Sequence, residues 1–305
     1  MLKISVIITT YNRPDALALV LQALAAQTSP RSKKQISSFE VVIANDGSTS
    51  TTTELINQLQ PHLPYHLQHI WQEDQGFRAA QARNRAIAIA QGNYLIFLDG
   101  DCIPQTDFIS KHIQLAENGW FVAGNRILLS QKFTAEILQK SSDLNCLKSN
   151  RHFGLQTSYS FPNSPLWTWH TTQWLLPYLR RDINRFLPLI KLPLNQIRKR
   201  HHQKWQGAKT CNLAVWRKDI LAINGFDEHF QGWGHEDADL VVRLLRSGVY
   251  RKEGRFAVPV LHLWHLEEDR SQEPDNRQRL EKRLNSTTIA TQQGINKRVG
   301  DRNGG

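Results

Sequence analysis

Three short runs of β-branched and aliphatic residues, and a weaker fourth, punctuate the first hundred positions of this 305-residue chain. Ile4 to Thr9, Phe39 to Ala44, the weaker His66 to Trp71 and Tyr94 to Leu98 have the length and composition of buried strands. Between them lie segments of helical character: Asp15 to Gln27, a polar stretch around Thr53 to Leu59, and an Ala-rich stretch from Ala79 to Ala90. Strands that alternate with helices build βαβ units and hence a mainly parallel sheet covered on both faces. The expected class is α/β. Each run ends in polar residues, which is where ligands bind in open sheets of this kind.

Beyond Asp101 the pattern loosens. Phe108 to Glu117 reads as a helix, Trp120 to Leu129 as one strand and Phe133 to Lys148 as an amphipathic helix. From about Ser149 to Gln206 aromatic residues alternate with basic ones: Trp167, Trp169, Trp174, Tyr178, Phe186 and Trp205 among Arg180, Arg181, Arg185, Lys191, Arg198, Lys199, Arg200 and Lys204. Asp182 is the one acid between Arg180 and Lys204. This stretch reads as an insertion with its own partner. The regular pattern returns at Ala208, and the polar segment after Ser286 is expected to be a flexible tail.

Composition narrows the class. Nine Trp and twelve Phe exclude a wholly disordered chain. No segment has the apolar length of a transmembrane helix, and the opening MLKISVIITTYNRPD reads as a buried first strand, without the features of a signal peptide. Cys102, Cys146 and Cys211 are widely spaced and suggest neither a disulfide framework nor a structural zinc site, so a reducing cytoplasm is the expected compartment. A net charge of +11 points to nucleic acid, an anionic membrane surface or a phosphate-bearing substrate, and charge alone does not choose among them.

The most informative element is Leu98-Asp99-Gly100-Asp101. Two carboxylates separated by one small residue at a strand end can converge on a hard cation, Mn²⁺ or Mg²⁺, which in turn neutralises a diphosphate. An Asp-Gly turn closing the strand would use the same residues.

Several further motifs accompany it in order. Val6-Ile7-Ile8-Thr9-Thr10-Tyr11-Asn12-Arg13 and Val42-Ile43-Ala44-Asn45-Asp46-Gly47-Ser48 come first, then Gln75-Gly76-Phe77-Arg78 and Ala82-Arg83-Asn84. With the Asp99-Gly100-Asp101 triplet they resemble the family 2 glycosyltransferases, inverting enzymes with the nucleotide-sugar-binding GT-A fold. A second block runs from Gly207 to Val215, through Gly225-Phe226-Asp227-Glu228, to Gly232-Trp233-Gly234-His235-Glu236-Asp237-Ala238-Asp239. It is similar to the C-terminal halves of bacterial chondroitin-polymerase-type transferases and of β-1,4-galactosyltransferases. The resemblance covers roughly residues 1–130 and 205–268 and leaves the aromatic, basic stretch unexplained.

The resemblance implies a division of labour. Asp237 is the base that takes the acceptor's proton and Glu236 orients the acceptor, at the start of a helix continuing to Leu245, while Asp239 is equally well explained as a helix N-terminal charge. Gly232, Trp233 and Gly234 offer a flat loop for a sugar ring. Asp101 is the direct metal ligand and Asp99 a ribose or metal contact. Relatives complete the metal shell with a His after a late strand, for which His265 is the first candidate and His262 the reserve. Thr9, Tyr11, Asp46, Arg78 and Arg83 line the donor crevice, Asp46 accepting from a base or ribose and Arg83 reaching base or phosphate.

Two departures matter. The processive polymerases' Gln-X-X-Arg-Trp signature and membrane helices are missing, which favours a single-sugar transferase. Asp237-Ala238-Asp239 stands where the galactosyltransferases carry successive acids. The expectation is an inverting glycosyltransferase with a GT-A domain. Residues 1–130 form its nucleotide-sugar half, 131–206 an insertion, 207–285 its acceptor half and 286–305 a flexible tail. Its partners are a UDP-sugar donor, a saccharide or lipid-linked acceptor and an anionic membrane surface, with the protein cytoplasmic or peripheral on the membrane's inner face and engaged in polysaccharide or glycolipid synthesis. A metal-dependent nucleotidyltransferase and a basic nucleic-acid-binding protein are the alternatives; nucleic acid is not expected, because strand-end carboxylates repel phosphates.

Overall fold

A computed structural model describes residues 2–28, 38–142, 165–194 and 196–296. The chain begins β1 (Ile4–Thr10), α1 (Pro14–Ala25), β2 (Phe39–Asn45), α2 (Ser50–Leu59), β3 (His66–Trp71), α3 (Ala79–Ile89) and β4 (Tyr94–Asp99). These are the expected alternating elements. Their strands pair in parallel in the order β3-β2-β1-β4. Side chains of β1 alternate between two cores. Val6 and Ile8 join Leu17, Val20 and Leu24 of α1, whereas Ile7 faces Ala80, Ala86 and Ile87 of α3. The alanines on α3 let its backbone lie close to the sheet, which carries Arg83 down to the strand ends.

Next come β5 (Cys102–Pro104), α4 (Phe108–Leu115), β6 (Trp120–Ala123), β7 (Asn125–Leu128), α5 (Gln131–Ser142) and the short α6 (Leu175–Leu179). The single strand expected over Trp120 to Leu129 is thus two, and they belong to different sheets. Gly124 is the break: its N–H donates to the Asn212 carbonyl at 2.9 Å, and a Cβ there would lie 2.3 Å from the Asn212 side chain. The chain then gives β8 (Asn212–Trp216), α7 (Arg217–Ala222), α8 (Glu236–Arg246), β9 (Tyr250–Glu253), β10 (Pro259–His262) and α9 (Glu273–Leu284).

β8 enters the main sheet antiparallel between β4 and β6, with Asn212 opposite Leu98, and β9 adds beyond β6. A second, three-stranded sheet runs β5-β10-β7, with His262 opposite Cys102. These two pairings carry Thr210, Cys211 and His262 to the end of β4, far from them in sequence.

The aromatic, basic stretch is partly core. Trp167, Trp169 and Trp174 are buried in the cluster that also holds Phe108 and Ile103. Arg198 is no surface charge either, because its guanidinium donates to the carbonyls of Leu192, Glu253 and Arg255 at 2.7–2.9 Å. Residues 143–164, which include Cys146, the end of the helix expected to reach Lys148 and the start of the aromatic, basic stretch, lie outside the described residues. In the segment expected to be a flexible tail, Thr291 and Ile295 are buried, and Ile295 N–H donates to Asn224 C=O at 3.2 Å. Residues 297–305 lie outside the described residues.

Asp239 is fully buried and holds two guanidinium groups, accepting from Arg243 Nε at 2.7 Å and Arg283 Nε at 2.6 Å. It therefore joins α8 to α9 and is more than a helix N-terminal charge. Removing one partner of a buried pair leaves the other charge uncompensated. Asp239→Ala is expected to lower stability by about 3–5 kcal/mol in denaturant unfolding, and Asp239→Asn, which keeps an acceptor oxygen, by less.

Candidate active site

The site lies where β1, β4 and the start of α8 meet. Arg83 is buried at its centre. Its Nε donates to Thr9 Oγ1 at 3.0 Å, Nη2 to Asp99 Oδ1 at 3.2 Å and Nη1 to Glu236 Oε1 at 3.2 Å, with Asp237 Oδ1 at 3.9 Å. The Phe226 ring backs the guanidinium, its centroid 5.4 Å from Cζ. Each carboxylate gains from the cation, while burial works against its charge. For Asp99 burial dominates, with Asp101 and Asp237 adding repulsion against Arg83, so its carboxyl is pushed up to about 6. Glu236 is also pushed upward by burial first and by Asp237 second.

α8 starts with an unusual entry. His235 has φ 73°, its Nε2 lies 2.8 Å from Glu273 Oε1, and Gly232 N–H donates to Phe77 C=O at 2.8 Å. This fixes the loop so that Glu236 points inward to Arg83. Asp237 is partly exposed, and the Thr210 hydroxyl donates to its Oδ1. The flat face expected of Trp233 is shared, since the Arg270 guanidinium stacks 4.5 Å from the ring centroid.

Asp101, His262 and His265 form the second part of the site. One ligand atom from each lies within 4.8 Å of the others. His262 Nε2 is 3.5 Å and His265 Nε2 3.3 Å from Asp101 Oδ2. Burial lowers the His262 pKa to about 4 despite Asp101, so the ring is neutral at pH 7. His265 Nδ1 donates to the Leu266 carbonyl at 2.6 Å, which in the neutral ring turns the Nε2 lone pair toward the carboxylate. Asp101 Oδ1 is buried with no hydrogen-bond partner among the described residues. Lone pairs converging on one oxygen of a carboxylate whose other oxygen is orphaned are satisfied by a cation, so these residues fit a divalent metal. Both histidines, and not one of the two, face Asp101. Asp99 is instead grouped with the buried thiols of Cys102 and Cys211, again within 4.8 Å.

The remaining expected residues sit around this centre. Asp46 is buried after β2, its Oδ1 accepting from Gln72 Nε2 at 2.6 Å and its Oδ2 from Arg78 N–H at 2.8 Å; burial raises its pKa. The Arg78 side chain turns to Gln75 and to the Glu73 carbonyl. Tyr11 is exposed at the rim and donates to Asp74 Oδ2 at 2.9 Å. Gly100 is needed for its own strand partner: its N–H donates to Thr9 C=O at 2.8 Å, and a Cβ would lie 3.0 Å from Thr10 Oγ1.

Sequence reasoning missed Thr210, Arg126 and the approach of Cys102 to Cys211. Arg126, on β7, has its pKa lowered by burial but raised further by Cys211, Cys102, Asp99 and Asp101, so its guanidinium belongs electrostatically to the site. Thr210 and Cys211 lie within the quoted Gly207 to Val215 block, but their partners follow only from the β8 to β4 pairing.

Comparison with known proteins bears on the family and the fold. The model of glycosyl transferase family 2 matches residues 5–185, and that of the N-terminal domain of galactosyltransferase matches 195–262. Validoxylamine A glucosyltransferase of Streptomyces hygroscopicus is 28% identical over 246 residues, covering 81% of this chain and 52% of that protein. Chondroitin synthase of Escherichia coli is 25% identical over 264 residues, covering 83% and 34%. The chain thus spans about half or less of the length of these relatives. A mannosyltransferase from Pyrobaculum calidifontis, solved in complex with GDP-Man and Mn2+, superimposes with a TM-score of 0.51 at 17% identity, covering 85% of this chain and 56% of that one, which shows a shared GT-A fold.

Because both imidazoles face the same carboxylate oxygen, His262→Ala and His265→Ala are each expected to raise the Mn²⁺ concentration for half-saturation by about tenfold or more. Isothermal titration with Mn²⁺ measures this directly. A change in one variant alone would restrict the shell to that histidine.

Proposed function

The chain belongs to glycosyl transferase family 2, and on that footing we propose that it transfers a sugar from a UDP-sugar to an acceptor hydroxyl with inversion, using a divalent cation. The observation that carries the proposal is the convergence of His262 and His265 on Asp101, whose second oxygen is orphaned, beside the Arg83 cluster that holds Asp99 and Glu236. Residues 1–130 supply the donor side of the catalytic domain, 207–285 the acceptor side and 131–206 the insertion.

Asp101, His262 and His265 would hold the cation. One carboxylate with two imidazoles favours Mn²⁺ over Mg²⁺, which prefers an all-oxygen shell. When bound, the cation supplies positive charge against the departing diphosphate. Arg126 adds a fixed positive charge on the same side. Thr9, Tyr11, Asp46 and Arg78 border the donor crevice, with Arg83 holding its floor.

Asp237 is the base. Thr210 occupies its Oδ1, which leaves Oδ2 to take the proton of the acceptor hydroxyl. Glu236, fixed to Arg83 through Oε1, orients the acceptor through its other oxygen. Asp237 and Asp99 approach the two terminal nitrogens of one guanidinium, so the base sits beside the carboxylate at the end of β4; inversion is what the family resemblance implies.

A panel of nucleotide sugars with saccharide acceptors, with and without Mn²⁺, tests the reading through the product released. Free UDP is expected, whereas pyrophosphate would assign nucleotidyl transfer. In Asp237→Asn, acceptor glycosylation is expected to fall by about two to four orders of magnitude while donor affinity survives. Transfer near the normal rate in that variant would move the base elsewhere.

A further inference from the structure

Five large apolar side chains stand in solvent within thirteen residues. Leu175, Leu176, Tyr178, Leu179 and Leu187 are 49%, 53%, 43%, 69% and 65% exposed. Their base is firmly packed. Trp174 is completely buried against Trp169, with ring centroids 4.8 Å apart, and Pro177, Ile183 and Leu189 are buried as well. The exposed leucines are therefore presented by an ordered support. Arg180, Arg181 and Arg185 are exposed among them, while the one acid of the stretch, Asp182, is half-buried.

This face is continuous with the cation end of the site. Asn184 N–H donates to Leu128 C=O at 3.1 Å and Ser130 N–H to Asp182 C=O at 2.8 Å, while Leu129 pairs with Ile183. Leu129 N–H in turn donates to the carbonyl of His262 at 2.9 Å. Between these segments lies an open groove of about 540 Å³, lined by Leu128, Tyr178, Leu179 and Ile183 with Arg181 at its edge.

We infer that this face docks on an anionic lipid bilayer, with the leucines entering the interface, Tyr178 at headgroup level and the three arginines against lipid phosphates. Leucines at the tips and guanidinium groups around them match both layers of such a surface. Contiguous exposed apolar area rimmed by charge marks an interaction site. Nucleic acid would pair with the arginines and leave the leucines in water. Because the groove adjoins His262, docking turns the cation end of the pocket toward an acceptor at the bilayer; that consequence rests on the proposed transfer reaction, whereas the docking does not.

The test is co-sedimentation of the full chain with vesicles of phosphatidylcholine alone and of phosphatidylcholine with phosphatidylglycerol. Binding is expected to the anionic vesicles only, and to weaken about tenfold or more from low to high salt. Leu179→Ser combined with Leu187→Ser should reduce it at least about tenfold, and Arg181→Gln with Arg185→Gln should weaken it and lessen its salt dependence. Both variants should keep the parent melting temperature and UDP release toward a soluble acceptor. No sedimentation with anionic vesicles at low salt, or sedimentation unchanged by the leucine substitutions, overturns the inference. A dimer that the leucine substitutions dissociate would instead assign the face to a second copy of the chain. Sedimentation is read without catalysis, so a chain that transfers no sugar but binds vesicles separates failure of the reaction from failure of the docking.

Discussion

A single buried guanidinium organises the site. Arg83 joins the end of β1 through Thr9, the end of β4 through Asp99 and the start of α8 through Glu236. Those three elements come from sequence segments as far apart as Thr9 and Glu236. Without the cation, three carboxylates would crowd a low-dielectric space and repel one another. With it, the β4 side and the α8 side of the pocket share one buried floor.

Amide side chains complete the same frame. Asn84, next in sequence to Arg83, donates to Phe226 C=O and Glu228 Oε1 and accepts from Phe226 N–H. It thereby clips α3 to the turn at Gly225, whose φ of 72° and lack of Cβ bring the two backbones together. Asn12 and Asn45 act alike at the ends of β1 and β2, accepting from Thr49 N–H and Ser48 N–H. Such short polar residues beside strand ends hold one loop to another.

What was legible in the sequence was what local pattern encodes. Periodicity located β1, β2 and β4 and the helices between them, and the strand-end rule put Thr9, Asp46, Asp99 and Asp101 on one edge of the sheet. The placement of Asp237 at the start of α8 followed from a motif and a helix boundary. What remained hidden depended on long-range pairing. Nothing near Cys211 announces that β8 runs antiparallel beside β4, so the proximity of Thr210 to Asp237 and of Cys211 to Cys102 could not be anticipated. The break at Gly124 is similar: an apolar run looks continuous until the Asn212 side chain that fills the bend is known. Asp239 looked like an ordinary first-turn acid because its partners, Arg243 and Arg283, lie one turn on and on another helix.

The arrangement of Arg83 also bears on how such a chain diversifies. Its bonds are spent on the protein's own carboxylates and on Thr9, so the charge that sets the pocket's shape does not itself choose a substrate. The groups at the mouth, Tyr11, Arg78, Trp233 and Arg270, are tied to neighbouring loops and not to the core. Substitutions at that mouth would change what the pocket presents to solvent while leaving the Arg83 frame beneath it intact, so the rim is free to vary without cost to its support.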